Sequence, residues 1–163
     1  MGNLWHTEAL GRIISGFAGE IDYAVDTIII MAFEDITGYE VDDEFVAGSG
    51  EILSRAGVTE VTSTGYAGGF EGADRLSLAS KTITVQAGTN QVELDCADLT
   101  WPSIDQAGSE TWVAFLIAKE LTSDALSPAM FFVDTGTGIP LTPNGSDITY
   151  AVAATGIATI GSA

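Results

Sequence analysis

The chain has 163 residues and carries 5 Lys+Arg against 23 Asp+Glu, a formal charge of −18. Phosphate binding needs clustered cations, so this balance speaks against nucleic acid and against an anionic membrane surface as direct ligands. Apolar residues at 46% and a mean hydropathy of +0.29 are too high for a solvated coil, and the length suits one domain with its own core.

No N-terminal run joins basic, apolar and small-residue regions, so no secretory signal is expected. Residues 7–17 read as a short helix. Thr7 can cap it, Glu8 suits the positive end of its dipole, and Leu10, Ile13, Ile14 and Phe17 form an apolar stripe. Gly16 and Gly19 weaken and end it. Residues 1–21 are therefore set apart as an arm and helix, and 22–163 as a single β-rich domain.

Residues 24–33 hold Ile28-Ile29-Ile30-Met31, a continuous β-branched run that predicts a strand buried on both faces. The acids of 34–44 predict an exposed loop, and 45–56 is compatible with a helix or a strand. Residues 59–64 are Thr-rich and extended, and Gly65-Tyr66-Ala67-Gly68-Gly69 reads as a turn. Residues 78–86 alternate, with Leu78, Ile83 and Val85 apolar. Gly88-Thr89-Asn90 then turns into a return strand, 91–95, with Val92 and Leu94 on one face.

Asp98-Leu99-Thr100-Trp101 runs into Pro102, which is expected to end regular pairing. Residues 111–119 form the strongest central-strand signal, and Trp112–Ala118 is the longest apolar run, far short of a membrane span. A further strand follows Pro128 over 129–134. Gly136, Gly138, Pro140 and Pro143 mark a long loop, Asn144-Gly145 a turn, and 148–153 and 156–160 the last short strands. Short strands at this spacing with Gly-rich turns predict a mainly β fold, an antiparallel β-sandwich or barrel with a short N-terminal α-helix.

Catalytic signatures are scarce. The one histidine, His6, lies in the terminal arm, away from any rigid nucleophile. Nucleophile-elbow, P-loop and H-E-x-x-H patterns are absent, and Gly136-Thr137-Gly138 lacks the third glycine of a dinucleotide fingerprint. One Cys and one His cannot supply a usual zinc set. Asp42-Asp43-Glu44 and Asp95/Asp98 offer hard oxygens but do not fit a calcium loop, so no metal or cofactor is expected. Cys96, flanked by Asp95 and Asp98, makes a poor nucleophile because the acids raise its pKa. Trp112 and Trp101 read as core and strand-end anchor respectively, rather than as sugar-stacking platforms.

A succession of short runs carries a resemblance. In order these are Thr64-Gly65-Tyr66, Leu78-Ala79-Ser80-Lys81-Thr82-Ile83-Thr84-Val85, Glu93-Leu94-Asp95, Ala97-Asp98-Leu99-Thr100-Trp101 and Ala114-Phe115-Leu116-Ile117-Ala118-Lys119. Ser127-Pro128, Val133-Asp134-Thr135-Gly136, Asn144-Gly145 and Gly156-Ile157 follow, with Ile28-Ile29-Ile30-Met31 and Asp42-Asp43-Glu44-Phe45-Val46 upstream. Together they resemble small capsid-associated virion proteins of tailed bacteriophages, of the decoration or cement type. The chain departs from that family at its N-terminus, where a polar segment is usual. The resemblance implies a non-enzymatic structural protein on the outer capsid surface, with the major capsid protein and further copies of itself, as a trimer, for partners. It brings no catalytic residues.

On this reading Leu4, Trp5, Leu10, Ile13, Ile14 and Phe17 are the candidate partner-binding residues, with Trp5 of a type that often dominates interface energy. A tail- or fibre-associated virion protein with an adhesion role is the alternative, favoured by exposed Trp and Tyr in a shallow groove. A carbohydrate-processing enzyme is a third reading, for which the abundant acids supply carboxylate pairs only by chance.

Overall fold

The computed structural model describes residues 4–5 (backbone only), 21–36, 59–88, 91–124 and 126–161. Among them the chain is mainly β, with antiparallel pairing throughout and no helix. The helix expected over 7–17 and the segment 45–56 lie outside the described residues.

The largest sheet is built on β2 (Ile28–Asp35), β8 (Ala114–Lys119) and β9 (Ala129–Val133). β8 lies between the other two, pairing from Ile28↔Lys119 to Phe33↔Ala114 with β2 and from Phe115↔Val133 to Ala118↔Ala129 with β9. Both faces are buried over residues 28–33, 114–119 and 129–133, as the apolar runs within them require. β1 (Leu4–Trp5) closes one side on β9. On the other side β3 (Thr59–Glu60) and β4 (Leu76–Ser77) share the free edge of β2, one at each end.

A three-stranded sheet runs in the order β11-β6-β5, from β5 (Thr82–Gln86), β6 (Gln91–Asp95) and β11 (Ala158–Gly161). A third sheet pairs β7 (Leu99–Ile104) with β10 (Ser146–Tyr150). One core cluster gathers residues from all three sheets: Ile28, Ile30 and Phe115 from the large sheet, Leu94 from β6, and Trp101 and Ile104 from β7. Trp112 stands edge-on to Trp101 at 5.4 Å between centroids, and Phe115 stacks on Trp101 at 5.7 Å. Both indole N–H groups are satisfied: Trp101 Nε1 donates to the Asp74 carbonyl (2.6 Å) and Trp112 Nε1 to Ser63 Oγ (2.8 Å). The opposite face of the large sheet holds a second cluster around Ile29, Met31, Phe33, Leu116 and Phe132.

Four expectations shift. The strand expected from residue 24 begins at Ile28, because Asp22 Oδ1 accepts the Ala24 N–H and holds 22–26 as a turn. Glu34 and Asp35 complete β2 rather than opening a loop; residues 37–44 lie outside the described residues.

Pro102 does not end pairing but sits inside β7. The register with β10 shifts between Ser146↔Ile104 and Ile148↔Trp101, so Pro102 and Ser103 together oppose Asp147 in a bulge. Proline's missing N–H is tolerated there, Ser103 adopts φ 53°, and the Ser103 N–H is received by Asp147 Oδ1 (2.9 Å). The alternating run 78–86 is broken at Ser80 (φ 53°). It yields β5 with every residue exposed, although Leu78 is buried.

Candidate functional site

The six candidate partner-binding residues are only partly placed. Leu4 and Trp5 form β1, in register with Phe132 and Phe131, so this part of the arm is a strand of the main sheet. Leu10, Ile13, Ile14 and Phe17 lie outside the described residues, as do His6 and Asp42-Asp43-Glu44.

The ionisable groups that the fold does bring together are tied to one another. Arg75 is buried, and its guanidinium forks onto two carboxylates. Nε and Nη2 donate to Glu60 at 3.0 and 2.7 Å, and Nη1 and Nη2 to Asp124 at 2.5 and 3.2 Å. Glu60 also accepts the Tyr66 hydroxyl (3.0 Å) and the Gly69 N–H (3.0 Å). Burial, then the Glu60 charge, hold the Tyr66 hydroxyl well above its usual range.

Glu110 is buried too. Its Oε1 accepts the Thr62 N–H (2.6 Å) and its Oε2 the Ser63 hydroxyl (2.8 Å), which in turn receives Trp112 Nε1. The two networks pin 59–66 between the large sheet and the loops around it. Neither was legible beforehand, because Arg75 and Glu110 stand in no periodic pattern. The one available signal was rarity: with five cations in the chain, each had a high chance of a specific partner.

Cys96 is buried. Desolvation pushes its thiol up; the Tyr23 hydroxyl works in the opposite direction, and the Asp95 and Asp98 charges add smaller contributions to the rise. The direction is the one the flanking acids implied, with burial as the larger cause. Asp95 Oδ1 receives the Cys96 N–H (2.9 Å) and Asp98 Oδ1 the Val152 N–H (2.8 Å), so both carboxylates hold backbone. No group of three or more His, Cys, Asp or Glu among the described residues is placed to hold a metal ion.

Among the described residues, recesses open on the surface. One, of about 470 Å³, is walled by Glu34, Asp35 and Glu110 with Thr59, Ser109 and Thr111. Partial desolvation and the neighbouring Glu110 and Asp35 raise the Glu34 pKa, so Glu34 keeps its proton to higher pH than an isolated carboxyl. Another, of about 780 Å³, lies between the loop 134–145 and β10, over Phe115, Ile139 and Tyr150. Phe115 meets Tyr150 edge-on at 5.1 Å, and the one β10 carboxylate facing this groove, Asp147, is spent on the Ser103 bulge.

A third surface feature is the edge strand β5. Ile83 and Val85 pair with Leu94 and Val92 of β6 and share their inner face, yet they overhang the core and are 48% and 73% exposed. The alternation read in the sequence is therefore real, but the side it marks extends past what the body covers. No helix among the described residues is long and apolar enough to cross a membrane. Compared with protein-family models, curated proteins and solved structures, the chain finds no match.

Proposed function

We propose that this chain is a virion structural protein of a tailed bacteriophage. It is a capsid decoration protein whose β-sandwich body docks on the major capsid protein at the outer surface of the shell. The observation that carries this reading is how polar chemistry is distributed. Arg75, Glu60 and Asp124 are engaged in one network and Glu110 and Ser63 in another, while the surface presents carboxylates and an uncharged edge strand with Ile83 and Val85 exposed. Such a surface suits adhesion in many copies better than turnover. A charge of −18 on an outward face also keeps particles apart. The ordered resemblance to capsid-associated proteins supports the same reading.

An adhesive tail or fibre component would need exposed aromatic side chains in a shallow groove. Trp101 and Trp112 are fully buried, which takes two of the three tryptophans away from any such groove and favours the shell. The test is sedimentation of purified shells lacking the protein after mixing with the full chain. Saturation at many copies per shell, in fixed ratio to the major capsid protein, is the expected result. Absence from the shell pellet, or a handful of copies per finished particle, overturns it.

A further inference from the structure

We propose that β5 is a self-pairing edge: two copies of this chain join β5 to β5 antiparallel about a two-fold axis through Thr84. This goes beyond the shell-binding reading and does not depend on it.

The first ground is the state of the edge. Among the described residues β5 has one neighbour, β6, and all five of its residues are exposed. Soluble proteins usually guard such an edge with proline, a bulge or a charge. Here the register with β6 is continuous from Thr82↔Asp95 to Gln86↔Gln91, and the strand holds no proline and no charged residue. The nearest cation, Lys81, is turned back onto its own body, where Nζ donates to the Asp26 carbonyl.

The second ground is charge. A chain at −18 repels its own copies, so a contact between copies must avoid carboxylates. Residues 75–92 contain none, and neither do 148–163. These two segments supply β5 and β11, the outer strands of the same sheet. With Thr84 on the axis, Glu93 (which faces Thr84 on β6) and its counterpart would be separated by three strand spacings. That is about 14 Å, beyond a screening length of about 8 Å at physiological salt.

The third ground is self-complementarity. Pairing about Thr84 sets Ile83 of one copy opposite Val85 of the other, twice, as β-branched cross-strand pairs on one face. The row Ile160–Val92–Val85 then continues into Ile83–Leu94–Ala158 of the second copy. The inner faces of two three-stranded sheets become one six-stranded apolar face, and each overhanging side chain gains an apolar neighbour on its open side. A partner of different sequence would meet no such constraint, which is why a second copy is the occupant.

One strand per copy is a small contact, so dissociation constants between about 1 µM and 1 mM are expected. Sedimentation equilibrium of the full chain across that range should give a monomer–dimer equilibrium. Val85→Glu should weaken it by about 100-fold or more, since it sets a carboxylate on the seam. Because Val85 is largely exposed, the thermal midpoint measured well below the dissociation constant, where both proteins are monomeric, should stay unchanged. Thr84→Cys should cross-link to a covalent dimer on mild oxidation, and Thr159→Cys, on the far strand, should not. A chain that stays monomeric throughout overturns the proposal. So does a dimer or trimer that survives Val85→Glu, or a Thr84→Cys variant that cross-links only to the shell protein.

Discussion

Arg75 shows how a single side chain can organise this fold. Its guanidinium joins Glu60, on the edge of the large sheet, to Asp124, in the loop between β8 and β9, with Tyr66 completing the link to β2 through the Ala32 N–H (3.4 Å). Removing one partner of a buried ion pair strands the other charges, which costs more than the pair contributes. Glu60 and Asp124 keep some contact with water, so the lower end of the usual range applies. Arg75→Ala is expected to lose about 3 kcal/mol in urea unfolding. Arg75→Lys, which keeps the charge but not the fork, should lose about half of that. A loss below about 0.5 kcal/mol for Arg75→Ala would mean the network behaves as a surface ion pair. Nothing local in the sequence announces this residue. A lone arginine between Asp74 and Leu76 looks like any surface charge until the chain closes around it.

At the scale of elements, the turn before β11 is tightly constrained. Gly156 has φ 82°, and its N–H closes on the Ala153 carbonyl while the next N–H, of Ile157, reaches the Leu94 carbonyl (2.8 Å). A Cβ at Gly156 would collide with that same Leu94 carbonyl and sit 2.8 Å from Glu93 Cγ. Gly156→Ala therefore combines an unfavourable backbone region with a clash against β6. A loss of roughly 2–4 kcal/mol is expected, read as a lower urea midpoint with an unchanged slope, and the β11 amides should exchange first. Wild-type stability in this variant would place β11 off the sheet.

Elements differ in how plainly they were written. β2, β8 and β9 were legible because a strand buried on both faces is apolar throughout, and β6 because Val92 and Leu94 alternate with polar neighbours. The passage of β7 through Pro102 was not. It depends on a bulge whose second half, Asp147, lies more than forty residues away. The exposure of Ile83 and Val85 was hidden for a similar reason: alternation reports which face a side chain takes, not whether the body reaches beneath it. Of the candidate site, the sequence marked the apolar residues of the arm; the apolar residues of 78–86 it marked only as one face of a strand. It could not say that Leu4 and Trp5 belong to the main sheet.

For the whole molecule, the dominant long-range force is self-repulsion. Three of the five cations lie among the described residues, and all three are committed. Arg75 holds Glu60 and Asp124, Lys119 holds Asp26 (2.7 Å), and Lys81 binds the Asp26 carbonyl. Pairing every cation in the chain once would still leave eighteen carboxylates without a positive partner. Added salt acts on these two populations unequally. It screens exposed like charges that lie farther apart than about 8 Å at physiological strength but scarcely touches buried pairs. The repulsive majority therefore loses more than the attractive minority, and salt should stabilise the fold.

Raising NaCl from low to physiological strength and beyond at neutral pH is expected to add about 1 kcal/mol, or roughly 2–4 °C in the thermal midpoint for a chain of this size. The same salt should strengthen β5-mediated dimers in sedimentation equilibrium, because copies at −18 also repel one another. A midpoint that falls with salt would mean that the few ion pairs outweigh the surplus. It would also remove the electrostatic reason for keeping carboxylates away from the β5 edge.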